Sequence, residues 1–166
     1  MATLQKSDRR RIFLSLCAVL AVMAVIFCFS SQDAEDSSKM SGAIVKLILR
    51  LFYPKLESFS AERQAQLMEG FSFAVRKLAH FTEYALLGTA LMLHVDAIGR
   101  VSPLRCQKSL AFLVGALYAL SDELHQSFVD GRAPAGRDVL IDSAGALAAI
   151  LIVSVIINRR MADRKE

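Results

Sequence analysis

The side chains best suited to chemistry lie between two apolar segments in the second half of the chain. One apolar run ends with Asp122, Glu123, His125 and Gln126, and the next begins with Asp138. Carboxylates and histidines at helical spacing can bind cations or move protons. Because ionisable groups inside or at the rim of a membrane segment persist mainly where they pair or line a polar cavity, this cluster indicates a functional site.

Cations near the cluster favour an anion-binding site. Arg132 and Arg137 lie in the short loop after the first run, and Lys77 belongs to an earlier apolar segment. Guanidinium forks match the oxygens of carboxylates and phosphates, and the amino-terminal end of the following helix adds a partial positive charge. The sequence therefore predicts a cleft that binds an anionic headgroup.

The histidines support a second interpretation, an intramembrane hydrolase or transferase. His80 or His125 would act as the base, and Asp122, Glu123 or Asp142 would orient it. The sequence contains no nucleophile motif and no HExxH-type signature. It therefore leaves open whether the protein is an enzyme.

Two further interpretations need no organic ligand. Asp122 and His125 are three residues apart, a spacing found in some metal sites of helical bundles, but this spacing alone is weak evidence. The charges can also neutralise one another and lock the helices together, in a structural or partner-binding protein. We predict no metal and no cofactor, and we keep the structural lock as an open alternative.

The distribution of apolar residues is typical of a membrane protein. Of the 166 residues 54% are hydrophobic, and the mean hydropathy is +0.41. The apolar blocks are near the roughly 20 residues needed to cross a bilayer, where backbone groups must bond within helices. We predict an all-α fold with a single domain, residues 1–166, forming an integral membrane four-helix bundle with spans at 12–30, 72–95, 109–128 and 138–157.

Basic residues set the predicted orientation of these spans. They cluster before the first span, between the second and third, and after the fourth, and these three regions share one side if the helices alternate. The positive-inside rule makes that side cytoplasmic, with both termini inside and the first helix uncleaved. The net charge of +4 is then an inner-face bias, and it gives no reason to expect nucleic acid as a partner.

The predicted outer segment, residues 31–71, contains an amphipathic stretch. Apolar residues from Ile44 to Phe52 recur at three-and-four spacing, which predicts a helix that Pro54 ends. This helix lies either along the outer membrane surface or on the bundle as a lid, and the sequence favours neither. A second short helix is predicted from Ser60 to Met68.

Helical period and orientation together bring the polar residues to one place. The second span enters from outside, the third returns and the fourth enters again, so their polar ends meet in the outer half of the membrane. The catalytic candidates are His80, Asp122, Glu123 and His125. The predicted ligand-binding residues are Arg76, Lys77, His80, Glu83, Tyr84, Asp122, Glu123, Gln126, Arg132, Arg137, Asp138 and Asp142.

These residues resemble the motifs of the VanZ-like family. The matching pieces are Phe29-Ser30-Ser31-Gln32, Arg76-Lys77-x-x-His80-x-x-Glu83-Tyr84, Ser121-Asp122-Glu123-x-x-Gln126-x-Phe128, Gly131-Arg132 and Asp138-x-x-x-Asp142-x-x-Gly145. The resemblance implies a small helical protein of the bacterial cytoplasmic membrane. It also links the chain to low-level resistance to the glycopeptide teicoplanin, and it implies no mechanism.

The chain departs from the family pattern at three positions. Asp130 stands where the family often has Pro, Asp142 where Asn is common, and Ala149 where Gly is common. The acid at position 142 adds a negative charge to the cleft. We therefore expect it to pair with a nearby cation, Arg132, Arg137 or Lys77.

The leading hypothesis joins these observations. We expect a multi-pass protein of the bacterial cytoplasmic membrane, with the lipid bilayer as its partner. Its extracytoplasmic cleft would bind an anionic lipid or a cell-wall precursor.

Overall fold

The computed structural model describes residues 6–98, 103–132 and 135–163, and this part of the chain is almost entirely helical. It contains five α-helices, with a short 3-10 helix at Leu56–Ser58. The α-helices are α1 Lys6–Ser30, α2 Ala34–Phe52, α3 Ala61–Ile98, α4 Leu104–Gln126 and α5 Gly136–Ala162. The predicted all-α fold is therefore confirmed.

Two of the four predicted spans are supported by length and composition. Among the described helices, α1 and α5 are long and apolar enough to cross a membrane. Helices α3 and α4 are long enough, but each carries several ionisable side chains within its apolar stretch. Composition therefore supports an all-α protein with two apolar helices, and it does not by itself establish a four-span bundle.

Helix α3 is a single helix where the sequence predicted two. It runs unbroken through the predicted short helix at 60–68 and the predicted span at 72–95. Ser60 begins it, because the Arg63 amide donates a hydrogen bond of 3.3 Å to the Ser60 hydroxyl. Gly70 is the one helix-weakening residue between the two predicted pieces, and a single glycine does not end a helix. At 38 residues α3 is about 57 Å long, well beyond the thickness of a hydrocarbon core.

Helix α2 packs on α3 and also keeps an exposed apolar face. Asp33 caps it, since the Asp36 amide donates to the Asp33 carboxylate at 2.8 Å, and it ends two residues before Pro54. Val45 and Leu49 are fully buried. A second apolar stripe is exposed, formed by Met40, Ile44, Leu47 and Leu51. The helix is thus a lid on the bundle that still offers an apolar surface to a membrane.

Helix α1 is fastened to the bundle at several points along its length. Near its start the Arg11 guanidinium lies 2.5 Å from the Asp96 carboxylate of α3. In its second half the Tyr118 hydroxyl of α4 donates a hydrogen bond of 2.7 Å to the Met23 carbonyl. These contacts place the end of α1, from Phe27 to Ser30, beside the polar ends of α3 and α4.

Close backbone contact between α3 and α5 forms the centre of the fold. A Cβ atom at Gly88 would overlap the backbone of Ala146, and one at Gly145 would overlap the backbone of Phe81. The two glycines therefore let the helices approach more closely than larger residues allow. The side chains of Tyr84 and Leu87, on the same part of α3, are fully buried.

We expect the α3–α5 contact to be sensitive to a single methyl group. Gly88→Ala and Gly145→Ala should each lower the free energy of unfolding by roughly 1–3 kcal/mol, because the backbones must separate. Gly70→Ala is the matched control in α3, where a Cβ meets nothing within 4 Å, and it should be neutral or stabilise by up to about 1 kcal/mol. Denaturant titration of the purified variants measures the difference. Equal stability of all three variants would show that this contact is not tight.

Candidate functional site

The polar site is built from the first half of α3, the end of α4 and the start of α5. Helix α3 supplies Arg76, Lys77, His80 and Glu83, which recur at helical spacing. Helix α4 supplies three buried side chains near its last turn, those of Asp122, Glu123 and Gln126. Helix α5 supplies Asp138 in its first turn and the buried Asp142 one turn later.

Ion pairs join α3 to α5. The Lys77 ammonium lies 2.6 Å from the Asp138 carboxylate, and both side chains are largely buried. The Arg137 guanidinium is 4.0 Å from the same carboxylate, but its side chain is 67% exposed. Lys77 is therefore the main partner of Asp138, and Arg137 contributes little.

Asp142 faces a histidine instead of a cation. Its Oδ1 atom lies 3.7 Å from Nδ1 of His80, so the predicted pairing with Arg132, Arg137 or Lys77 is wrong. The two atoms are buried, and neither has a hydrogen-bond partner in the described part of the chain. The distance is slightly too long for a hydrogen bond, and a small side-chain movement would form one.

The carboxylates of α4 are held by neutral groups. The Gln126 amide donates to Asp122 Oδ2 at 3.1 Å. Glu123 accepts a hydrogen bond from the Ala135 backbone amide, just before α5 begins. Glu123 thus fixes the loop between α4 and α5, which gives it a structural task.

Two arginines of the site form no ion pair with a carboxylate in the part of the chain that the structure describes. Arg132 donates to the Phe29 carbonyl at 3.4 Å, and neither it nor Arg76 forms an ion pair within the described residues. Burial lowers the pKa of the Arg132 guanidinium; Asp122 raises it, and the nearby charge of Arg76 lowers it. An arginine nevertheless stays protonated. The two positive charges therefore repel each other, and a bound anion would relieve this repulsion.

Two cavities meet at these arginines. The first, which we call the lid cavity, has a volume of about 230 Å³ and lies between α1, α2, α3 and α4. Its apolar lining consists of Ile26, Phe29, Met40, Ile44, Val75 and Ala79. The second, which we call the polar cavity, has a volume of about 220 Å³ and is lined by four cations, those of Arg76, Lys77, Arg132 and Arg137, and one carboxylate, Asp138. Ser37, Arg76, His80 and Arg132 line both cavities.

His125 is not part of this arrangement. Its ring stacks on Phe27 of α1 at a centroid distance of 4.7 Å, and its Nε2 atom is 3.2 Å from the Ser31 hydroxyl. Neither cavity is lined by it. The structure therefore separates the two histidines that the sequence offered as bases.

A metal site is not formed from the residues that the structure describes. Asp122 borders the lid cavity while His125 turns towards α1. No group of three or more His, Cys, Asp or Glu side chains converges within residues 6–98, 103–132 and 135–163. The three-residue spacing of Asp122 and His125 thus does not become a pair of ligands.

The lid cavity is the part of the site that sequence reasoning missed. The signal was present in α2, which has more apolar positions than one packing face needs. Val45 and Leu49 are buried on the face of α2 that packs on α3, whereas Met40 and Ile44 are half-exposed and line the cavity. Ser30 also belongs here, and its buried hydroxyl has no hydrogen-bond partner among the described residues.

Comparison with models of known protein families gives a match over most of the chain. The family model described as VanZ/LLP1 matches residues 15–157, a range that contains every residue of the site. No curated protein matches the chain, and no solved structure matches it.

The Lys77–Asp138 pair should be coupled energetically. We expect Lys77→Met and Asp138→Asn each to lower the free energy of unfolding. The loss in the double variant should be smaller than the sum of the two single losses, by roughly 1–3 kcal/mol. Arg137→Gln is the matched control, because its exposed guanidinium is 4.0 Å from the same carboxylate, and it should change stability by under about 0.5 kcal/mol. Denaturant titration of the four variants tests this; purely additive losses would mean that the pair does not join the helices.

Proposed function

The chain belongs to the VanZ/LLP1 family, and from this premise we propose that it is a bacterial membrane protein that binds an anionic molecule of the cell envelope. Two apolar helices and the family membership support a membrane location. The observation that carries the binding proposal is a pair of arginines, Arg76 and Arg132, that form no ion pair with any described carboxylate and lie where the two cavities meet.

The outward faces of the helices support four spans in the cytoplasmic membrane. On α4 the exposed large apolar residues form one stripe at three-and-four spacing, Leu110, Leu113, Leu117, Leu120 and Leu124. Its carboxylates, Asp122 and Glu123, are buried on another face. A helix with an apolar outer stripe and inward charges suits lipid on one side and a polar cleft on the other. Under the positive-inside rule the basic residues support a cytoplasmic position for both termini.

The parallel course of α3 and α5 also supports an alternating topology. Residues in contact follow the same order along both helices, from Lys77 with Asp138 to Phe81 with Gly145. Two helices that enter the membrane from the same side must run parallel. The cleft then opens on the side opposite to the basic termini, which is extracytoplasmic under the positive-inside rule.

Charge in the polar cavity supports an anionic ligand over a cationic or neutral one. Four cations face one carboxylate there. Structural locking explains only part of this set, because Lys77 is held by Asp138 while Arg76 and Arg132 are held by no carboxylate among the described residues. A protein that used these charges only for locking would gain little from Arg76 and Arg132, which are partly buried and form no ion pair with a described carboxylate.

Resemblance to the teicoplanin-linked family suggests a cellular consequence of this binding. We propose that the ligand is an anionic envelope lipid or a cell-wall precursor, and that its binding changes the sensitivity of the cell to glycopeptides. The link between binding and glycopeptide sensitivity is tested by comparing the teicoplanin sensitivity of cells that express the wild type with that of cells that express a cleft variant.

Removal of either arginine should weaken anion binding. Arg76→Gln and Arg132→Gln should each raise the Kd for dioleoyl phosphatidic acid in detergent micelles by roughly 10-fold or more, because a charge-assisted hydrogen bond is lost. Arg63→Gln is the matched control, an exposed arginine of α3 outside both cavities. Dioleoyl phosphatidylcholine should bind weakly to all proteins.

Three results would count against an anion site. These are equal binding of the two lipids, unchanged Kd in both cleft variants, or the same loss in Arg63→Gln. Thermal stability of each variant, measured alongside, separates lost binding from lost folding.

A specific observation favours a second candidate function, proton transfer by His80. Its Nδ1 atom faces Asp142 at 3.7 Å, while the residue lines both cavities. A carboxylate behind Nδ1 leaves Nε2 free to act as a base on a bound ligand. This arrangement supports a hydrolase or a transferase acting on the same anionic molecule.

His80→Gln should then reduce turnover by roughly 100-fold or more. Asp142→Asn should reduce it less, because an amide oxygen can still accept a hydrogen bond from Nδ1. His125→Gln is the control, since His125 stacks on Phe27 away from both cavities. Mass spectrometry of the anionic lipids after incubation with purified protein detects the product. Turnover that survives His80→Gln would exclude this base, and absence of any product would leave the binding function alone.

A further inference from the structure

We infer that the ligand of this site is a lipid phosphate, with its phosphate between Arg76 and Arg132 and its hydrocarbon chain in the lid cavity beneath α2. This inference rests on the proposed anion-binding function and adds the chemical class of the ligand. It also assigns a task to the lid cavity, which the anion proposal leaves without one.

The two cavities form one site with two kinds of lining. They share Arg76 and Arg132, as well as Ser37 and His80. On one side of these residues lie the additional cations Lys77 and Arg137. On the other side the walls are mainly apolar side chains of α1, α2 and α3, together with the carboxylates of Glu83 and Asp122. A ligand that fits both must be an amphiphile, with its charge at the junction.

The chemistry of the junction favours a phosphate. Each guanidinium can form two parallel hydrogen bonds to a pair of anionic oxygens. A carboxylate presents two oxygens in one plane, whereas a terminal phosphate presents three in a tetrahedral arrangement and can accept forks from two arginines that approach from different sides. Arg132 is free for this role, because its described hydrogen bond is to the Phe29 carbonyl and its carboxylate neighbours act on it only through space. The Ser37 hydroxyl lies at the same junction.

The walls of the lid cavity suit a hydrocarbon chain. Ile26 and Phe29 face it from α1, Met40 and Ile44 from α2, and Val75 from α3. Each cavity alone is smaller than the roughly 300 Å³ at which sites for drug-sized ligands begin, and the two together fall within that range. The lid cavity alone therefore holds a segment of a chain, and the rest must extend outside.

Helix α2 gives the chain a route to the membrane. Met40 and Ile44 line the cavity and are also 51% and 52% exposed, respectively. They continue into the exposed apolar stripe through Leu47 and Leu51. A hydrocarbon chain can thus pass from the cavity along this stripe into the lipid without crossing polar surface.

The test separates the headgroup from the chain. The full-length protein in detergent is titrated with dioleoyl phosphatidic acid, dihexanoyl phosphatidic acid, oleate, dioleoyl phosphatidylcholine and inorganic phosphate. We expect the first to bind most tightly, the short-chain form at least 10-fold more weakly, and inorganic phosphate more weakly still. Oleate, which carries an anionic charge but no phosphate, should bind at least 10-fold more weakly than dioleoyl phosphatidic acid.

Two variants of α2 test the position of the chain without touching the charges. Ile44→Trp should fill the lid cavity and weaken binding of the long-chain phosphatidic acid at least 10-fold. Binding of the short-chain phosphatidic acid should change less than 2-fold. Leu47→Trp is the matched control, because Leu47 lies on the same stripe but outside the cavity. It should leave the affinity for both lipids unchanged. Both positions are exposed, so both variants should fold.

The outcomes distinguish this inference from the function on which it rests. If oleate binds as tightly as dioleoyl phosphatidic acid, the phosphate assignment fails while anion binding stands. If Ile44→Trp binds the long-chain lipid like the wild type, or if inorganic phosphate binds as tightly as the lipid, the chain is not in the lid cavity and the inference is overturned. If the zwitterionic lipid binds as tightly as the anionic one, the proposed function fails as well.

Discussion

The close contact between the backbones of α3 and α5 is the constraint on which the rest of the structure depends. Gly88 and Gly145 leave no room for a side chain at the points where the helices meet. Because the helices run parallel in this register, the residues one to three turns earlier are opposite one another. Lys77 then reaches Asp138 at 2.6 Å, and His80 faces Asp142 at 3.7 Å. The polar site is thus a consequence of how two small residues are spaced from the charged ones.

Helical period explains why much of the site could be predicted from the sequence. Arg76, His80 and Glu83 recur at spacings of three and four, and the structure places all three beside the lid cavity. Partner choice could not be predicted, because several cations and carboxylates share the same end of the bundle. It depends on differences of a few ångströms that the glycine contacts set. The pairing of Asp142 with His80 is the clearest example.

The position of His125 shows a second limit of sequence spacing. Residues three apart on a helix are about 60° apart around its axis. On a surface helix with one buried face this difference is small, but α4 has neighbours on several sides, since it contacts α1, α3 and α5. A 60° rotation is enough to move His125 from the side of Asp122 to the side of Phe27. The helix could be predicted from the sequence, whereas the neighbour of each of its faces could not.

The same distinction between faces explains why composition alone supports two spans. An average over a window counts Asp122 and Glu123 equally with the leucines around them, although the carboxylates are buried and the leucines are exposed. A bilayer interacts with the exposed face and not with the average. For α1, whose membrane-length stretch is apolar on all sides, the averaged hydropathy and the polarity of the exposed face agree. For α4 the averaged hydropathy and the polarity of the exposed face differ, because its inward face carries the side chains of the polar site.

The distribution of charge favours a site that binds a ligand over a network of charges that only locks the helices together. Burying an ion is costly unless a partner of opposite charge compensates it. Lys77 has such a partner in Asp138, and Glu123 is fixed by the Ala135 amide, so these groups hold the three helices together. Arg76 and Arg132 add nothing comparable to this lock, yet they lie side by side where two cavities join. The carboxylates near Arg132 act on it only through space, whereas an anionic ligand at the junction would contact both guanidinium groups directly.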